Sequence, residues 1–331
     1  MHLVQFRNPD GQRRVGIVEA GGATIAPLVG YATTYDLAMA AIGKGVSLSA
    51  LCATLPRDAA VDYDAVLSSG RILPPLDHPE PARFLVTGTG LTHLGSADAR
   101  DKMHALEHGE EKEMSDSMKI FRMGIEAGKP ADGAIGVQPE WFFKGVGTCI
   151  VPPEAPLELP AYALAGGEEA EIVGLYLIGP DGTPWRIGFA MGNEFSDQVT
   201  EALNYLYTAH SKLRQCSIGP ELLVGDLPDH VEGAVRIRRG EETLWEGKFL
   251  SGESNMSHSI ANLEHYHFRY DVHRRPGDLH AYFMGAALLS CAHGITAQVG
   301  DCFEIDVPAF GRPLRNTMVA VPAPRFDVKQ L

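Results

Sequence analysis

The chain has 331 residues, 45% of them apolar and 21% charged, an ordinary globular composition with core enough for one or two domains. Its formal net charge of −14 argues against a nucleic-acid binder and against a basic membrane-docking surface. The five cysteines (Cys52, Cys149, Cys216, Cys291 and Cys302) are scattered without a C-x-x-C pair and read as reduced thiols, and no apolar run approaches the ~20 residues of a membrane helix, so a cytoplasmic setting is expected.

The opening "MHLVQFRNPDGQRRVGIVEAGG" reads as two short strands around an Asn-Pro-Asp-Gly turn, and not as a secretory leader. "YDLAMAAIGKGVSLSALCATL" and "DYDAVLSSG" then read as short helices. Residues 1–75 are thus expected to form a small N-terminal α/β domain, closed by the Pro-rich connector "ILPPLDHPEPAR". Residues 76–331 form the second unit. It opens on a strand running into the Gly-rich turn of "RFLVTGTGLTHL".

Residues 96–128 are charged and helix-favouring, with Ser96 as an N-cap. They read either as a surface helical pair or as a lid over a site. Beyond Pro139 the chain is mostly short strands and Gly, Pro or Asp turns, with one helix at "DQVTEALNYLYTAHSKL". The expected fold class is therefore α+β and β-rich.

The turn "GPDGTP" separates "EIVGLYLI" from "WRIGFAM", both rich in β-formers. Side chains alternate along a strand, so Glu169 and Glu171 share a face. A hairpin symmetric about the Asp181–Gly182 bond sets Glu169 opposite Glu194 and Glu171 opposite Gly192, and opposed residues share a face. Three carboxylates then converge, with the glycine leaving room for a ligand or water. Such a cluster repels itself unless a cation sits among its members. An oxygen-only set suits Mg²⁺ first, with Mn²⁺ or Ca²⁺ as alternatives. The competing reading is an acidic edge that faces solvent and discourages aggregation.

Several other patterns carry less. "GTGLTHLG" is not a dinucleotide fingerprint. "HYH" at 265–267 puts two imidazoles on one face if the segment is a strand, either as half of a zinc site or as satisfied sheet histidines. His104 and His108 are spaced i, i+4 without H-E-x-x-H, no G-x-S-x-G occurs, and Cys291 near His293 is too little for a nucleophile.

In order, "GEEAEIVGLYLIG", "GFAMGNEFSDQ", "SIGPELL", "RRPGDL" and "VGDCFEIDVPAFGRPLRN" resemble the fumarylacetoacetate hydrolase superfamily. The resemblance runs from about Phe84 to Met318, and the opening strands are similar to that family's small leading domain. It implies a mixed β-roll catalytic domain, a homodimer, and a divalent metal held by Glu169, Glu171 and Glu194. The last stands where the family has Asp. Hydrolases of the family carry G-x-N-Y-x-x-H-x-x-E, and that element is missing from "GTGLTHLGSADARDKMH". Ser96, Ala99 and Arg100 instead resemble the pattern of the branch that dehydrates 2-keto-3-deoxy sugar acids, with His93 in the place of a Tyr.

The resemblance places Ser96, Arg100, Thr148 and Ala286 near the substrate, Ala286 standing where the family has a Thr that binds the substrate carboxylate. Thr148 reads equally as a strand hydroxyl. Lys212 resembles an active-site lysine. It is read as a base, as a donor to a substrate oxygen, or as a lysine paired with a metal carboxylate. Glu107 and His108 are candidates for acid or base if their segment closes over the site, and otherwise a solvated face. The implied activity is Mg²⁺-dependent dehydration of a 2-keto-3-deoxy pentonate-type acid to a 2-ketoglutarate semialdehyde-like product through a metal-stabilised enolate. The alternatives are a hydrolase that cleaves the C–C bond of 2,4-diketo acids, and a non-catalytic sugar-acid-binding protein.

Overall fold

The computed structural model describes residues 1–94, 115–131 and 133–331. Among them the strands form one thirteen-stranded and one five-stranded sheet. The larger sheet begins with the N-terminal strands. His2–Arg7, Arg13–Val18 and Thr24–Pro27 pair antiparallel in sequence. His2–Arg7 also pairs with Leu222–Val224, which pairs in turn with Pro184–Asn193. The sheet therefore continues without a break from the leading strands into the middle of the second unit.

That middle is the strand Ala170–Ile178, flanked by Pro184–Asn193 and by Leu279–Phe283, with Phe84–Gly88 running parallel beyond. All nine residues of Ala170–Ile178 are buried. One face (Val173, Leu175, Leu177) packs toward the helices Thr34–Lys44 and Leu48–Thr54. The other (Ile172, Tyr176) packs with Val235, Phe249, Ile305 and Leu314 of the smaller sheet. A strand covered on both faces needs a continuous apolar run, as this one has. Each fully buried aliphatic side chain contributes roughly 1.5–3 kcal/mol. The result is the α+β, β-rich architecture expected from the sequence.

Two local expectations change. The helix at "DQVTEALNYLYTAHSKL" is broken into Gln198–Leu203, the 3-10 turn Tyr205–Tyr207, and Thr208–Ser211. Asn204 breaks it: its backbone is extended, and its side chain accepts from the Leu206 N–H to start the next turn. "HYH" lies on the helix Ile260–Phe268, not on a strand, because Ser259 caps it by accepting from the Asn262 N–H. His265 and His267 then point about 200° apart, and only His267 is buried. Within the charged segment, Asp116–Ala127 is a helix whose Gly124 lies against His258. Ser96, Ala99, Arg100, His104, Glu107 and His108 lie outside the described residues.

Candidate metal centre

The acidic hairpin assembles as expected at its far end, by a route the sequence did not show. Glu171 pairs with Gly192 and Ala170 with Asn193, and the Glu194 N–H donates to the Glu169 carbonyl at 2.9 Å. Near the turn the register is one residue different: Ile178 pairs with Pro184 and Tyr176 with Arg186. The turn is centred on Asp181, whose carboxylate accepts from the Thr183 N–H and hydroxyl. A bulge at Ile187 supplies the extra residue, so that Leu175 pairs with Gly188. Without it Glu194 would share a face with Glu168, away from Glu169 and Glu171.

With it, Glu169, Glu171 and Glu194 place carboxylate oxygens within 4.8 Å of one another, all three side chains buried. Gly192 does not leave room for a ligand. A Cβ there would lie 2.5 Å from both Phe283 and Val173, so close packing explains this glycine. Gly88 does make room: a Cβ would lie 2.9 Å from Glu194 Oε1 and 2.5 Å from the Phe142 ring.

Burial raises the carboxyl of Glu194 to about 7, against the opposing pull of Lys212 and Lys144. Burial first, then the charges of Glu194 and Glu169, drives Glu171 well above the ordinary carboxylate range. Lys212 enters at the end of Thr208–Ser211. Its Nζ lies 2.5 Å from Glu169, 3.2 Å from Glu194 and 3.6 Å from Glu201. Burial opposes its charge, yet those carboxylates hold its ammonium well above the usual lysine range. Glu194 Oε1 is buried without a hydrogen-bond partner, while Oε2 faces the Lys212 ammonium at 3.2 Å. An orphaned buried oxygen among acids that repel one another is what a hard cation satisfies.

The surrounding pocket lies at one end of five neighbouring strands. Thr89 and Gly90 follow Phe84–Gly88, Glu140 and Phe142 lead into Phe142–Val146, and Ala286 and Leu289 follow Leu279–Phe283. The open volume among these side chains is about 30 Å³, which suits a cation or a water. The loop after Phe283 is strapped at both ends to the acidic strand. The Gly285 N–H donates to Glu171 at 2.7 Å, and Ser290 donates its N–H (2.9 Å) and hydroxyl (2.8 Å) to Glu168.

No family model matches the chain, and no curated protein matches its sequence. Solved structures share its architecture. A 2-keto-3-deoxy-D-arabinonate dehydratase complexed with magnesium and 2,5-dioxopentanoate is 18% identical, with a TM-score of 0.71 over 97% of this chain and 100% of its own. A 5-carboxymethyl-2-hydroxymuconate delta-isomerase from Mycobacterium smegmatis is 16% identical, with a TM-score of 0.59 over 97% of this chain and 100% of its own. A 2-hydroxyhepta-2,4-diene-1,7-dioate isomerase from Mycobacterium marinum is 18% identical, with a TM-score of 0.58 over 97% and 98%.

The chain has the fold of these enzymes.

Of the residues singled out in the sequence, Glu169, Glu171, Lys212 and Ala286 line one pocket, with Glu194 beside them. Thr148 sits exposed on the 3-10 turn Gly147–Cys149 and is not among the pocket's lining residues. Arg100, Ser96, Glu107 and His108 lie outside the described residues. His93 is buried, with its Nε2 2.7 Å from the Ser251 hydroxyl, away from the pocket lining.

Three functional candidates escaped the sequence reading. Glu140 lines the pocket, its Oε2 against Gly90, where a Cβ would lie only 2.3 Å away. Lys144 is buried and donates to the carbonyls of Phe195 (2.8 Å) and Lys212 (3.1 Å), tying the residue after Glu194 to Lys212. Glu168 straps the loop as described. Lys144 did carry a signal: it falls two residues after Phe142, on the same inward face of one strand. No helix among the described residues is by itself long and apolar enough to cross a membrane.

Proposed function

We propose that this chain is a divalent-metal-dependent enzyme that dehydrates a 2-keto-3-deoxy sugar acid, with Glu169, Glu171 and Glu194 holding the ion. The observation that carries this reading is the buried carboxylate triad, with Lys212 paired to two of its three members. The shared fold with a dehydratase complexed with magnesium and 2,5-dioxopentanoate supports it.

A bound Mg²⁺ would supply Lewis-acid polarisation of the substrate's keto group and stabilise negative charge developing there. The chain's own residues do the rest. The ammonium of Lys212 rests on the acids that would hold a cation, so with those acids engaged by the ion it would turn toward the pocket and hold its proton less tightly. From there its Nζ would donate a proton to the C4 hydroxyl, which would leave as water. The carboxylate of Glu140, in the same pocket, is placed to accept the C3 proton. Thr89 and Thr208 add hydroxyls for substrate oxygens, and Phe142, Leu91 and Leu289 exclude water. Glu107, His108, Arg100 and Ser96 keep the roles implied by the family resemblance as proposals.

The deciding experiment offers the Mg²⁺-loaded protein a panel of 2-keto-3-deoxy pentonates and 2,4-diketo acids and identifies products by NMR. A semialdehyde of 2-ketoglutarate, formed without carbon–carbon cleavage, is the expected product. Pyruvate from a 2,4-diketo acid, with no reaction on any 2-keto-3-deoxy acid, would replace the dehydratase by the hydrolase. A homodimer is the proposed assembly. Leu164, Leu203 and Leu206, at 60%, 62% and 77% exposure, supply apolar surface in keeping with it.

A further inference from the structure

Behind the pocket, on the far side of Lys144, two thiols meet. Cys149 Sγ and Cys216 Sγ are 4.0 Å apart, the one thiol–thiol hydrogen bond among the described residues. The contact is set by the sheet. Ile150–Val151 and Cys216–Ile218 pair in parallel with Cys216 opposite Ile150, so Cys149 stands one residue off the pairing and leans onto its neighbour. Gly145 backs the pair. A Cβ there would lie 2.9 Å from Cys149 Sγ, so its absence gives that sulfur space to turn.

The two thiols differ in ways that matter for oxidation. Cys216 is fully buried, while Cys149 is half-buried and lines a cavity of about 620 Å³ together with Lys144, Glu158, Arg214 and Gln215. A small oxidant thus reaches one sulfur and not the other. The hydrogen bond with Cys216, with the charge of Lys144 assisting against burial, lowers Cys149 below the ordinary thiol value. Burial keeps Cys216 protonated. A reachable thiol with a second, buried thiol in contact is the arrangement of a redox-sensitive pair.

We propose that Cys149 and Cys216 form a reversible intrachain disulfide on exposure to a peroxide. The thiolate of Cys149 attacks one peroxide oxygen, the O–O bond breaks, and the leaving hydroxide takes a proton to become water. This leaves a sulfenic acid on Cys149. The Cys216 sulfur then attacks that sulfur, the S–S bond forms, the S–O bond breaks, and a second water leaves with the Cys216 proton. Two electrons pass from the thiols to the peroxide. The cross-link joins the end of the 3-10 turn that carries Thr148 to the strand that begins four residues after Lys212, whose carbonyl Lys144 holds. It therefore grips the backbone that carries the lysine, whatever reaction that lysine serves.

The test uses the full chain, titrated with hydrogen peroxide and digested without reduction for mass spectrometry. The expected result is a linked pair of peptides containing Cys149 and Cys216, a fall in free thiols from five to three, and full reversal by dithiothreitol. Cys149→Ser abolishes the link. Cys216→Ala strands the intermediate, which dimedone then captures on Cys149. A link through Cys52, Cys291 or Cys302, a link between two copies, or Cys149 driven to sulfinic acid while Cys216 stays alkylatable would each overturn the proposal. So would the absence of both cross-link and dimedone adduct.

Discussion

The Nζ of Lys212 lies 2.5 Å from Glu169 Oε1, with both side chains less than a tenth exposed. A buried ion pair of this kind is replaced, not joined, by a dication at the same carboxylates, since two positive charges cannot share them without mutual repulsion. Lys212→Met is therefore expected to bind Mg²⁺ more tightly than the parent in calorimetry while losing roughly 10²–10⁴-fold in kcat. Weaker metal binding in that variant would show that Lys212 supports the ion.

Removing a ligand should do the reverse. Glu171→Gln keeps the shape of the side chain and can still accept from the Gly285 N–H, but it removes one of the converging charges. The expected loss of Mg²⁺ affinity is on the order of 100-fold, as for removal of a group that binds or orients a metal, with little change in the fold by circular dichroism. Unchanged affinity would move the cation elsewhere.

The raised carboxyls also make a prediction about stability. A group held at about 7 in the fold against an ordinary 4.5 stabilises fully below the lower value, and that contribution is lost as pH rises through 7. Without metal, the melting temperature should fall as pH is raised from about 6.5 to about 8. Glu194→Gln should lessen the fall, and saturating Mg²⁺ should lessen it in the parent, because the ion keeps the carboxylates charged at both ends of the range. Equal slopes with and without Mg²⁺ would count against the triad as the metal site.

Buried histidines act at the acid end. Burial lowers His93 and His258 to about 4, and it lowers His280 to about 3 with the neighbouring His273 assisting. Their contribution is present above the unfolded value near 6.5 and is lost as pH drops toward those lower values. The urea midpoint of the Mg²⁺-loaded protein should thus decline between about pH 6.5 and about pH 5, and His258→Gln should shallow the decline. A flat midpoint would mean that these rings are already charged in the fold.

The parts of the site that the sequence displayed are those coded locally. The turn "GPDGTP", the alternation on either side, and the paired acids at Glu169 and Glu171 are short-range signals, and together they implied the meeting with Glu194. The run of β-formers from Ile172 to Ile178 likewise announced a strand, and the structure shows it covered on both faces. Glu140 and Lys144 were missed because the partners that define them lie far along the chain: Gly90 for one, Phe195 and Lys212 for the other. The histidines at 265 and 267 were misread because their two-residue spacing suggested a strand, while the deciding signal was the Ser259 cap six residues earlier.

The bulge at Ile187 turns the assembly of the three acids into a question of odd and even. Lengthening the turn by two residues leaves every side chain on its own face, whereas adding one sends Glu194 to the wrong side. A chain lacking Ile187 would reach the same pairing as a straight ladder, one residue shorter. Distant relatives of this protein should therefore fall into two spacing classes between the paired acids and the returning one, and an insertion at this point of an alignment marks a kinked strand and not a different site.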